Sequence, residues 1–390
     1  MAASNDGLDP SPFRELFPIA DRGVFLDHAG VAPISTQVRS AVRRFLDEAV
    51  EEAPQRAPYW ALRIEEVRGA CGRLVGAPPE RVAFVKNTSE ALSFVAGGLP
   101  WRRGDVVLLG DREFPSNVYP WWALASRGVE SRFVEPGPEG IDADAVERAL
   151  DRRVRVVALS AVSYGAGDRL DLGSIGRLCR ERGVLFVVDG AQAVGALAMD
   201  LEADAFDCVA ADGHKWLCAP EGAGFAAFSE RLLGELEPIE IGWKSVRSGE
   251  ASFYPYDLTL RTDAAKLEAG SLNAMAIHGL GAAAELALEV GLERIERRLG
   301  ALTDLLSREL RSRGRWLHGR RGSGSGAAGA GIVTFTPRGD AERVRQELWA
   351  RGVVTRVRFG GLRLAPHYYQ DERDMARFLS AYDEAETEAA

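Results

Sequence analysis

Short apolar segments alternate with helical patterns between residues 82 and 228 of this chain. The segments VAFV, VRVVALS and VLFVVD are nearly continuous runs of apolar residues, without the polar residues that alternate along a half-exposed strand. Strands of this kind are buried on both faces, and a helix between successive strands is typical of a parallel sheet. We therefore predict an α/β fold with a mostly parallel sheet, which places ligands at the carboxyl ends of its strands.

The same patterns predict where the elements lie. Strands are predicted within residues 82–85, 105–110, 154–160, 184–189, 206–210 and 224–228, and helices over residues 35–50, 59–74, 88–97, 143–150 and 172–182. Residues 274–310 indicate one or two long helices, and a small α+β region with a strand at 332–335 and a helix at 340–351 follows. Residues 384–390 are expected to form a frayed tail.

The charge balance excludes several classes of partner. The chain has 57 acidic and 48 basic side chains and a formal net charge of -9. Nucleic acids and anionic membranes bind basic surfaces, so neither is an expected partner. The four cysteines are scattered without a CxxC pair, which is typical of small buried residues in a reducing compartment and predicts no metal site. No signal-peptide pattern or membrane-length apolar run is found, so we expect a cytoplasmic enzyme.

Lysine is rare in this chain, and one lysine lies in an unusual place. The four lysines are Lys86, Lys215, Lys244 and Lys266. Covalent chemistry on a carbonyl group requires a lysine amine, because the guanidinium group of arginine does not lose its proton. Lys215 occupies a polar turn, ADGHKWLCAPEGAGF, between two apolar segments. This position favours a reactive amine, with an ordinary surface lysine as the alternative.

Two further features lie near predicted strand ends. Asp189 ends the apolar run VLFVVD, and a carboxylate at the end of a buried strand needs a partner. A protonated pyridine nitrogen is one such partner, and a helix N-cap role is the alternative. The segment KNTSE at residues 86–90 precedes a predicted helix. Its backbone N–H groups and hydroxyls suit a phosphate group, with simple capping as the alternative.

In this order, these features resemble the class V aminotransferase family, which includes cysteine desulfurases, selenocysteine lyases, isopenicillin N epimerase and kynureninase. The resemblance covers residues 25–369. Its most specific motifs are DGAQ (189–192), DGHKWL (212–217) and PEG (220–222), with support from FLDHAGVAP (25–33), NTSEA (87–91), EFPSNVYPW (113–121) and EAGSLN (268–273).

The resemblance implies a fold, a cofactor and an assembly. The fold would be type I of the transferases that depend on pyridoxal 5′-phosphate (PLP), with a large domain around a mostly parallel seven-stranded sheet and a small C-terminal α+β domain. The division would be an N-terminal segment, 1–30, packing on the small domain, then the large PLP-binding domain, 31–280, and the small domain, 281–390. Two copies would form a homodimer with active sites at the subunit interface.

The resemblance also implies roles for individual residues. Lys215 would hold PLP as a Schiff base and move the Cα proton, and Asp189 would pair with the pyridine nitrogen. The other cofactor-binding residues would be Thr88 and Ser89 at the phosphate, Gln192 at the phenolic oxygen, Phe114 on the ring, His214 as a neighbouring catalytic group, and Ser271 at the phosphate of the partner subunit. Arg363 would grip the substrate carboxylate with its bidentate fork. The rest of the substrate pocket would include His28, Ala29, Gly30 and Asn117.

The chain departs from its relatives at several of these places. Phe114 stands where desulfurases carry a histidine, Asp212 where a phosphate-binding serine is common, and Tyr164 where an asparagine is common. The segment TRVRFGGLR at residues 355–363 lacks the cysteine with which desulfurases attack sulfur. Cys218 is a weak substitute, because it stands in a turn where relatives have a small residue.

These departures leave several reactions open. We expect β-elimination on a cysteine derivative, a C–S lyase reaction, because it needs no nucleophile besides the groups named above. Epimerisation or racemisation would need a second acid or base, for which His28, Tyr164 and His367 are candidates. Transamination would need Lys215 to move a proton to the cofactor. A protein of the same fold that binds PLP without turnover is the alternative from another class.

Overall fold

A computed structural model describes residues 8–137, 140–247, 254–319 and 330–389. The strands are β1 (Val24–Phe25), β2 (Val82–Val85), β3 (Val106–Leu109), β4 (Glu130–Phe133), β5 (Val154–Ser160), β6 (Leu185–Asp189), β7 (Cys208–Asp212), β8 (Gly224–Phe228), β9 (Trp316–Leu317), β10 (Val333–Thr336), β11 (Val353–Val354), β12 (Arg356–Arg358) and β13 (Gly361–Leu364).

The α-helices surround two sheets. They are α1 (Ser11–Arg14), α2 (Thr36–Glu51), α3 (Ala57–Arg73), α4 (Thr88–Gly98), α5 (Tyr119–Trp122), α6 (Ala143–Ala149), α7 (Leu172–Glu181), α8 (Glu230–Glu235), α9 (Ala274–Val290), α10 (Leu292–Ser312), α11 (Ala341–Ala350) and α12 (Glu372–Ala389). Several begin at a side chain that accepts a backbone N–H of the first turn, as Ser35 does for α2, Asn87 for α4 and Asp171 for α7. Such caps satisfy donors that have no partner inside the helix.

Seven strands form the large sheet in the order β2-β8-β7-β6-β5-β3-β4. The five strands from β7 to β4 pair in parallel, and β8 runs antiparallel to both of its neighbours. The predicted mostly parallel sheet is therefore confirmed. Because β5, β6 and β7 run in the same direction, Ser160, Asp189 and Asp212 end at one edge of the sheet.

The sheet is buried on both faces because side chains of a strand alternate in direction. Along β6, Phe186 and Val188 join a core with residues of α2, α3, α7 and α9, whereas Leu185 and Val187 join a core with residues of α4, α5 and α8. This two-sided burial explains why the strands read as continuous apolar runs.

The second sheet lies nearer the C-terminus, in the order β12-β13-β10-β9. Its core includes Leu306 of α10, Leu348 of α11 and Phe378 of α12. Strand β1 pairs in parallel with β11, so the N-terminal region docks beside residues more than three hundred positions later. This pairing brings Asp27 and His28 next to β13.

Two predictions are wrong in detail. Residues 384–389 continue α12 instead of fraying, because Arg351, which directly follows α11, pairs with both Glu384 and Glu388. The strand predicted at 206–210 lies two residues later, at Cys208–Asp212. The edge strand β4, ESRF, carried no apolar signal and was not predicted.

No single described helix is long and apolar enough to cross a membrane. The bent pair α9 and α10, with 79° between its axes, meets the length and composition criteria only when both helices are taken together.

Candidate active site

One small cavity lies at the carboxyl edge of the large sheet. Strand β6 contributes Asp189, β7 contributes Asp212, β5 contributes Ser160, and the first turn of α4 contributes Thr88. The lining is Thr88, Phe114, Ser116, Ser160, Val162, Tyr164, Asp189, Ala191, Gln192, Asp212 and Lys215. The cavity therefore unites residues from sequence motifs more than a hundred positions apart.

Lys215 enters this cavity from the turn between β7 and β8. Its Nζ lies 3.9 Å from Asp212 Oδ2 and 5.6 Å from the centroid of the Phe114 ring. The other lysines lie elsewhere: Lys86 pairs with Glu90 and Lys266 donates to the carbonyl of Leu233, while Lys244 lies over the Trp243 ring. Lys215 is thus the lysine that this cavity has for covalent chemistry.

Asp189 is a buried carboxylate with room for a cationic partner. Its Oδ1 accepts the backbone N–H of Ala191 at 2.9 Å. Burial raises the pKa of Asp189 to about 6, and the positive charge of Lys215 opposes this rise. A protonated pyridine nitrogen beside the carboxylate would favour its ionised form.

The start of α4 presents hydroxyls to the cavity. The Thr88 Oγ1 atom is buried and has no hydrogen-bond partner among the described residues. The Ser89 hydroxyl donates to Ser116 Oγ at 2.7 Å. One backbone donor is already taken, because the N–H of Thr88 donates to Asp212 Oδ1 at 2.7 Å. Asp212 therefore caps the helix at the place where an anion would be attracted.

Gln192 connects the cavity to the N-terminal region. Its Nε2 donates to the carbonyl of Ala29 at 2.9 Å, and its Oε1 accepts the indole N–H of Trp216 at 2.9 Å. Gly30 follows, and a Cβ there would meet Asp27 Oδ2 at 2.8 Å. His214 precedes Lys215 and its carbonyl accepts the N–H of Ala32; burial lowers the pKa of the His214 ring.

Arg363 on β13 belongs to a buried charge cluster. Its Nη2 donates to Asp27 Oδ1 at 2.7 Å and its Nη1 donates to the carbonyl of Tyr164 at 2.8 Å. Arg356 binds the other oxygen of Asp27 at 2.8 Å. The Arg363 Nε has no hydrogen-bond partner within the described part of the chain. Among these three charged groups, one carboxylate faces two guanidinium groups, which leaves a surplus positive charge for an anion.

Several predicted site residues do not line the cavity. They are His28, Ala29, Gly30, Ser89, Asn117, His214, Ser271 and Arg363. Both ring nitrogens of His28 are engaged, with the Ala365 carbonyl and the Tyr369 hydroxyl at 2.8 Å each, and burial lowers its pKa to about 3. Asn117 is buried and accepts the indole N–H of Trp121. Ser271 is exposed and borders two other surface depressions.

Sequence reasoning missed Glu113 as an individual residue. Its carboxyl accepts the Ser160 backbone N–H at 2.8 Å and contacts the Ser160 hydroxyl, directly beside Asp189 in the sheet register. Burial raises the pKa of Glu113 to about 7. Its position next to Phe114, after an apolar strand, was the available signal. Cys218 is buried, and burial raises the pKa of its thiol, so it has no thiolate to offer.

Three aromatic rings follow one another from Lys215 toward solvent, and we call Phe114, Tyr164 and Phe359 the aromatic row. The ring centroids of Phe114 and Tyr164 lie 5.2 Å apart, and those of Tyr164 and Phe359 lie 5.5 Å apart. Phe359 stands in the two-residue turn between β12 and β13.

Across the described residues, no group of three or more His, Cys, Asp or Glu side chains could hold a metal ion.

Comparison with known proteins identifies relatives along most of the chain. The family model for class-V aminotransferases matches residues 24–378. A probable cysteine desulfurase from Methanothermobacter thermautotrophicus is 34% identical over 298 residues, which are 75% of this chain and 74% of the relative. A cysteine desulfurase from Salmonella gallinarum is 33% identical over 302 residues, 72% of each chain.

Solved structures agree with these relatives. The apo structure of a cysteine desulfurase from Thermococcus onnurineus is 25% identical, with a TM-score of 0.86 over 98% of both chains. The cystine C–S lyase C-DES, in complex with its reaction product cysteine persulfide, is 25% identical, with a TM-score of 0.86 over 94% of this chain and 98% of that chain.

Proposed function

The chain belongs to the class V aminotransferase family and is a PLP-dependent enzyme, and we propose that it is a C–S lyase acting on a cysteine derivative. The Cα proton would be removed, the Cβ–S bond would break, and the sulfur would leave with the bonding electrons as a thiol. With one water, the remaining atoms give pyruvate and ammonia. The observation that carries this proposal is Lys215 within reach of Asp189 and Phe114 in a cavity whose neighbouring hairpin has no cysteine.

The residues of the cavity fit PLP, and the predicted type I fold is confirmed. When bound, this cofactor withdraws electrons from the substrate and makes its Cα proton acidic. The orphaned Thr88 hydroxyl and the Ser89 hydroxyl suit its phosphate, and the buried carboxylate of Asp189 suits its pyridine nitrogen. The half-exposed Phe114 offers a ring face for stacking, and Gln192 has a second amide hydrogen for the phenolic oxygen.

In this proposal the substrate is held by its carboxylate and loses its proton to Lys215. The Arg363 guanidinium donates to the carboxylate, because its Nε lacks a partner in the described structure and the two arginines around Asp27 leave a surplus positive charge there. The Lys215 amine then takes the proton from Cα. Substrate and cofactor together would exclude water from the cavity, which strengthens both ionic contacts.

The alternative reactions differ in the groups that they need. A second base for epimerisation is not offered by His28 or His367, since both are buried and burial lowers the pKa of each. Tyr164 lines the cavity and keeps epimerisation as the second candidate. A persulfide mechanism would need a thiolate, and Cys218 is buried. Transamination needs no further group and is separated from elimination by its products.

The proposal includes a homodimer in the cytoplasm, with Ser271 at the phosphate of the partner subunit. Apolar side chains are exposed on α3 and near it, among them Tyr59, Leu62 and Trp243. Such an exposed apolar surface supports the proposal that a second subunit covers it.

The experiment is a visible spectrum of the PLP-loaded protein during incubation with cysteine, cystine and S-substituted cysteines, together with pyruvate and thiol release. We expect one sulfur product for each pyruvate: a thiol from S-substituted cysteines, hydrogen sulfide from cysteine and a persulfide from cystine. Lys215→Ala should abolish turnover and the absorbance of covalently bound PLP, whereas Lys244→Ala should change neither. Keto-acid formation without thiol would contradict elimination, and an active Lys215→Ala variant would contradict the site.

Arg363→Ala provides a second test. We expect the KM for the amino acid to rise about a hundredfold, since a buried charge-assisted contact is lost. An unchanged KM would place the carboxylate at another group.

A further inference from the structure

The turn between β12 and β13 holds an aromatic residue in a backbone conformation that favours glycine. Arg358 pairs with Gly361, so Phe359 and Gly360 alone form the turn, and their φ angles are +49° and +74°. Two-residue turns with both φ angles positive favour Asn-Gly or Gly-Gly. A bulky residue at positive φ is a strained choice, and such strain clusters at functional sites.

The ring of Phe359 packs against the backbone of Gly165. A Cβ added to Gly165 would lie 1.8 Å from Cε2 of Phe359, so the ring lies directly on the backbone of Gly165. The Arg112 guanidinium lies 5.9 Å from the ring centroid on another side. These contacts fix the ring beside Tyr164, although its backbone alone would not favour this position.

The aromatic row leaves apolar surface exposed at both ends, and the Phe359 end stays exposed when PLP stacks on Phe114. Phe114 is 41% exposed and Phe359 is 45% exposed, whereas the nearby large apolar side chains of the core are buried. The row begins 5.6 Å from Lys215 Nζ and ends at Phe359, which contacts the lining residue Tyr164 from outside the cavity. An apolar group on the sulfur of the substrate, extending away from the reacting atoms, would cover the exposed surface of these rings.

From this placement we infer that Phe359 is a specificity-determining residue, which selects cysteine derivatives with an apolar or aromatic group on sulfur. This inference rests on the proposed C–S lyase function and adds the class of substrate. Phe359 does not touch the reacting atoms, so it acts on the distal part of the substrate. The free thiol of cysteine would gain nothing from the row.

The experiment compares S-benzyl-L-cysteine with S-methyl-L-cysteine in the PLP-loaded enzyme. We expect the kcat/KM ratio of benzyl to methyl to exceed about ten in the wild-type enzyme and to fall about tenfold in Phe359→Ala, in line with apolar pocket contacts. Gly165→Ala should lower the same ratio, because the added methyl displaces the ring without removing it. Trp349→Ala, which removes an exposed aromatic residue of α11, is the matched control and should keep the ratio.

Two further measurements make each outcome decisive. Phe359→Gly suits the positive φ, so it should fold even if Phe359→Ala does not, and its ratio should fall equally. Dissociation constants of both amino acids, from the change in cofactor absorbance, separate binding from turnover. A ratio that is unchanged in the Phe359 variants would overturn the inference. Selective binding of the benzyl compound without thiol release would refute the lyase function but support the aromatic row, and failure to bind either compound would refute both.

Discussion

Among the individual residues of the cavity, Asp212 occupies a backbone N–H group of the predicted phosphate site. Its carboxylate accepts the N–H of Thr88 at the start of α4, where a phosphate would otherwise be attracted. We predict that Asp212→Ser lowers the dissociation constant of PLP about tenfold, roughly 1.4 kcal/mol, because a negative charge leaves and a hydroxyl remains. Absorbance titration of the apoenzyme measures this change.

The control for this prediction is Asp144→Ser, which removes an exposed acid from the first turn of α6. The dissociation constant of PLP should be the same for Asp144→Ser as for the wild-type enzyme. Weaker PLP binding in Asp212→Ser would mean that the carboxylate supports the cofactor instead.

Glu113 predicts a pH dependence of stability. Its folded pKa of about 7 lies above the ordinary value of 4.5, so the fold favours the protonated carboxyl. This contribution is fully present below about pH 4.5 and is lost as the pH rises through 7. Glu113→Gln keeps both contacts with Ser160 without titrating.

The Glu113→Gln variant should therefore melt at the same temperature as the wild-type protein near pH 5. Near pH 8 it should melt at a higher temperature, with a free energy of unfolding that is larger by about 2 kcal/mol. Thermal melting of the apoproteins at both pH values measures the difference. Glu181→Gln removes an exposed carboxylate from α7 and should show no such trend. Parallel pH profiles of Glu113→Gln and the wild-type protein would place a charged carboxylate at position 113.

Sequence reasoning singled out residues whose sequence signal lies in a short stretch of the chain. Lys215 and Asp189 could be predicted because a turn and a strand end are visible in a short window. The Asp27 cluster and the Glu113–Ser160 contact could not, since their partners lie 336 and 47 positions apart in the chain. The cavity brings Lys215 and Asp189 together. The roles predicted for both, and for Thr88, Ser89, Gln192 and His214, stay predictions.

At the scale of elements, the short pair β1–β11 sets the position of Asp27. A Cβ on Gly23 would meet the carbonyl oxygen of Gly352 at 2.2 Å, so the two backbones pass too closely for a side chain. We predict that Gly23→Ala costs about 1–3 kcal/mol of stability by overpacking and raises the KM for the amino acid through Asp27. Melting temperature and steady-state kinetics test this.

Gly234→Ala is the matched control, because a Cβ there meets no atom within 4 Å and the position lies in α8. It should leave stability equal or slightly higher. If Gly23→Ala lowered stability without changing KM, the strand pair would have no part in the carboxylate site.

Buried elements were the predictable ones. Strands β2, β5 and β8 begin and end at the predicted residues, since their apolar runs reflect two-sided burial. Strand β4 lies at the sheet edge, and its pairing with β3 leaves no sequence pattern. The end of α12 depends on ion pairs with α11, which local propensity does not contain. The Phe359 turn violates local preference at a cost of about 1–2 kcal/mol, so no turn rule predicts it.

For the whole molecule, the homodimer is the main prediction. Light scattering of the PLP-loaded protein should give twice the mass of one chain. Ser271→Ala should weaken PLP binding without changing that mass, because the hydroxyl would act across the interface. A wild-type protein with the mass of one chain would contradict the homodimer. An unchanged PLP affinity in Ser271→Ala would contradict the role of this hydroxyl. The division into 1–30, 31–280 and 281–390 also stays a prediction, which limited proteolysis can test.

The parallel pairing of β1 with β11 has a consequence for how the enzyme matures. Asp27 and Arg363 lie 336 positions apart in the chain, yet the Asp27 carboxylate accepts a hydrogen bond from Arg363. Protein synthesis proceeds from the N-terminus, and domains fold as they emerge. The nascent chain thus carries Asp27 without Arg356 and Arg363 until all seven strands of the large sheet, the last of which ends at Phe228, have been made. All residues that line the cavity around Lys215 are made before Arg363, so on the ribosome the predicted cofactor site can be complete before the predicted carboxylate site.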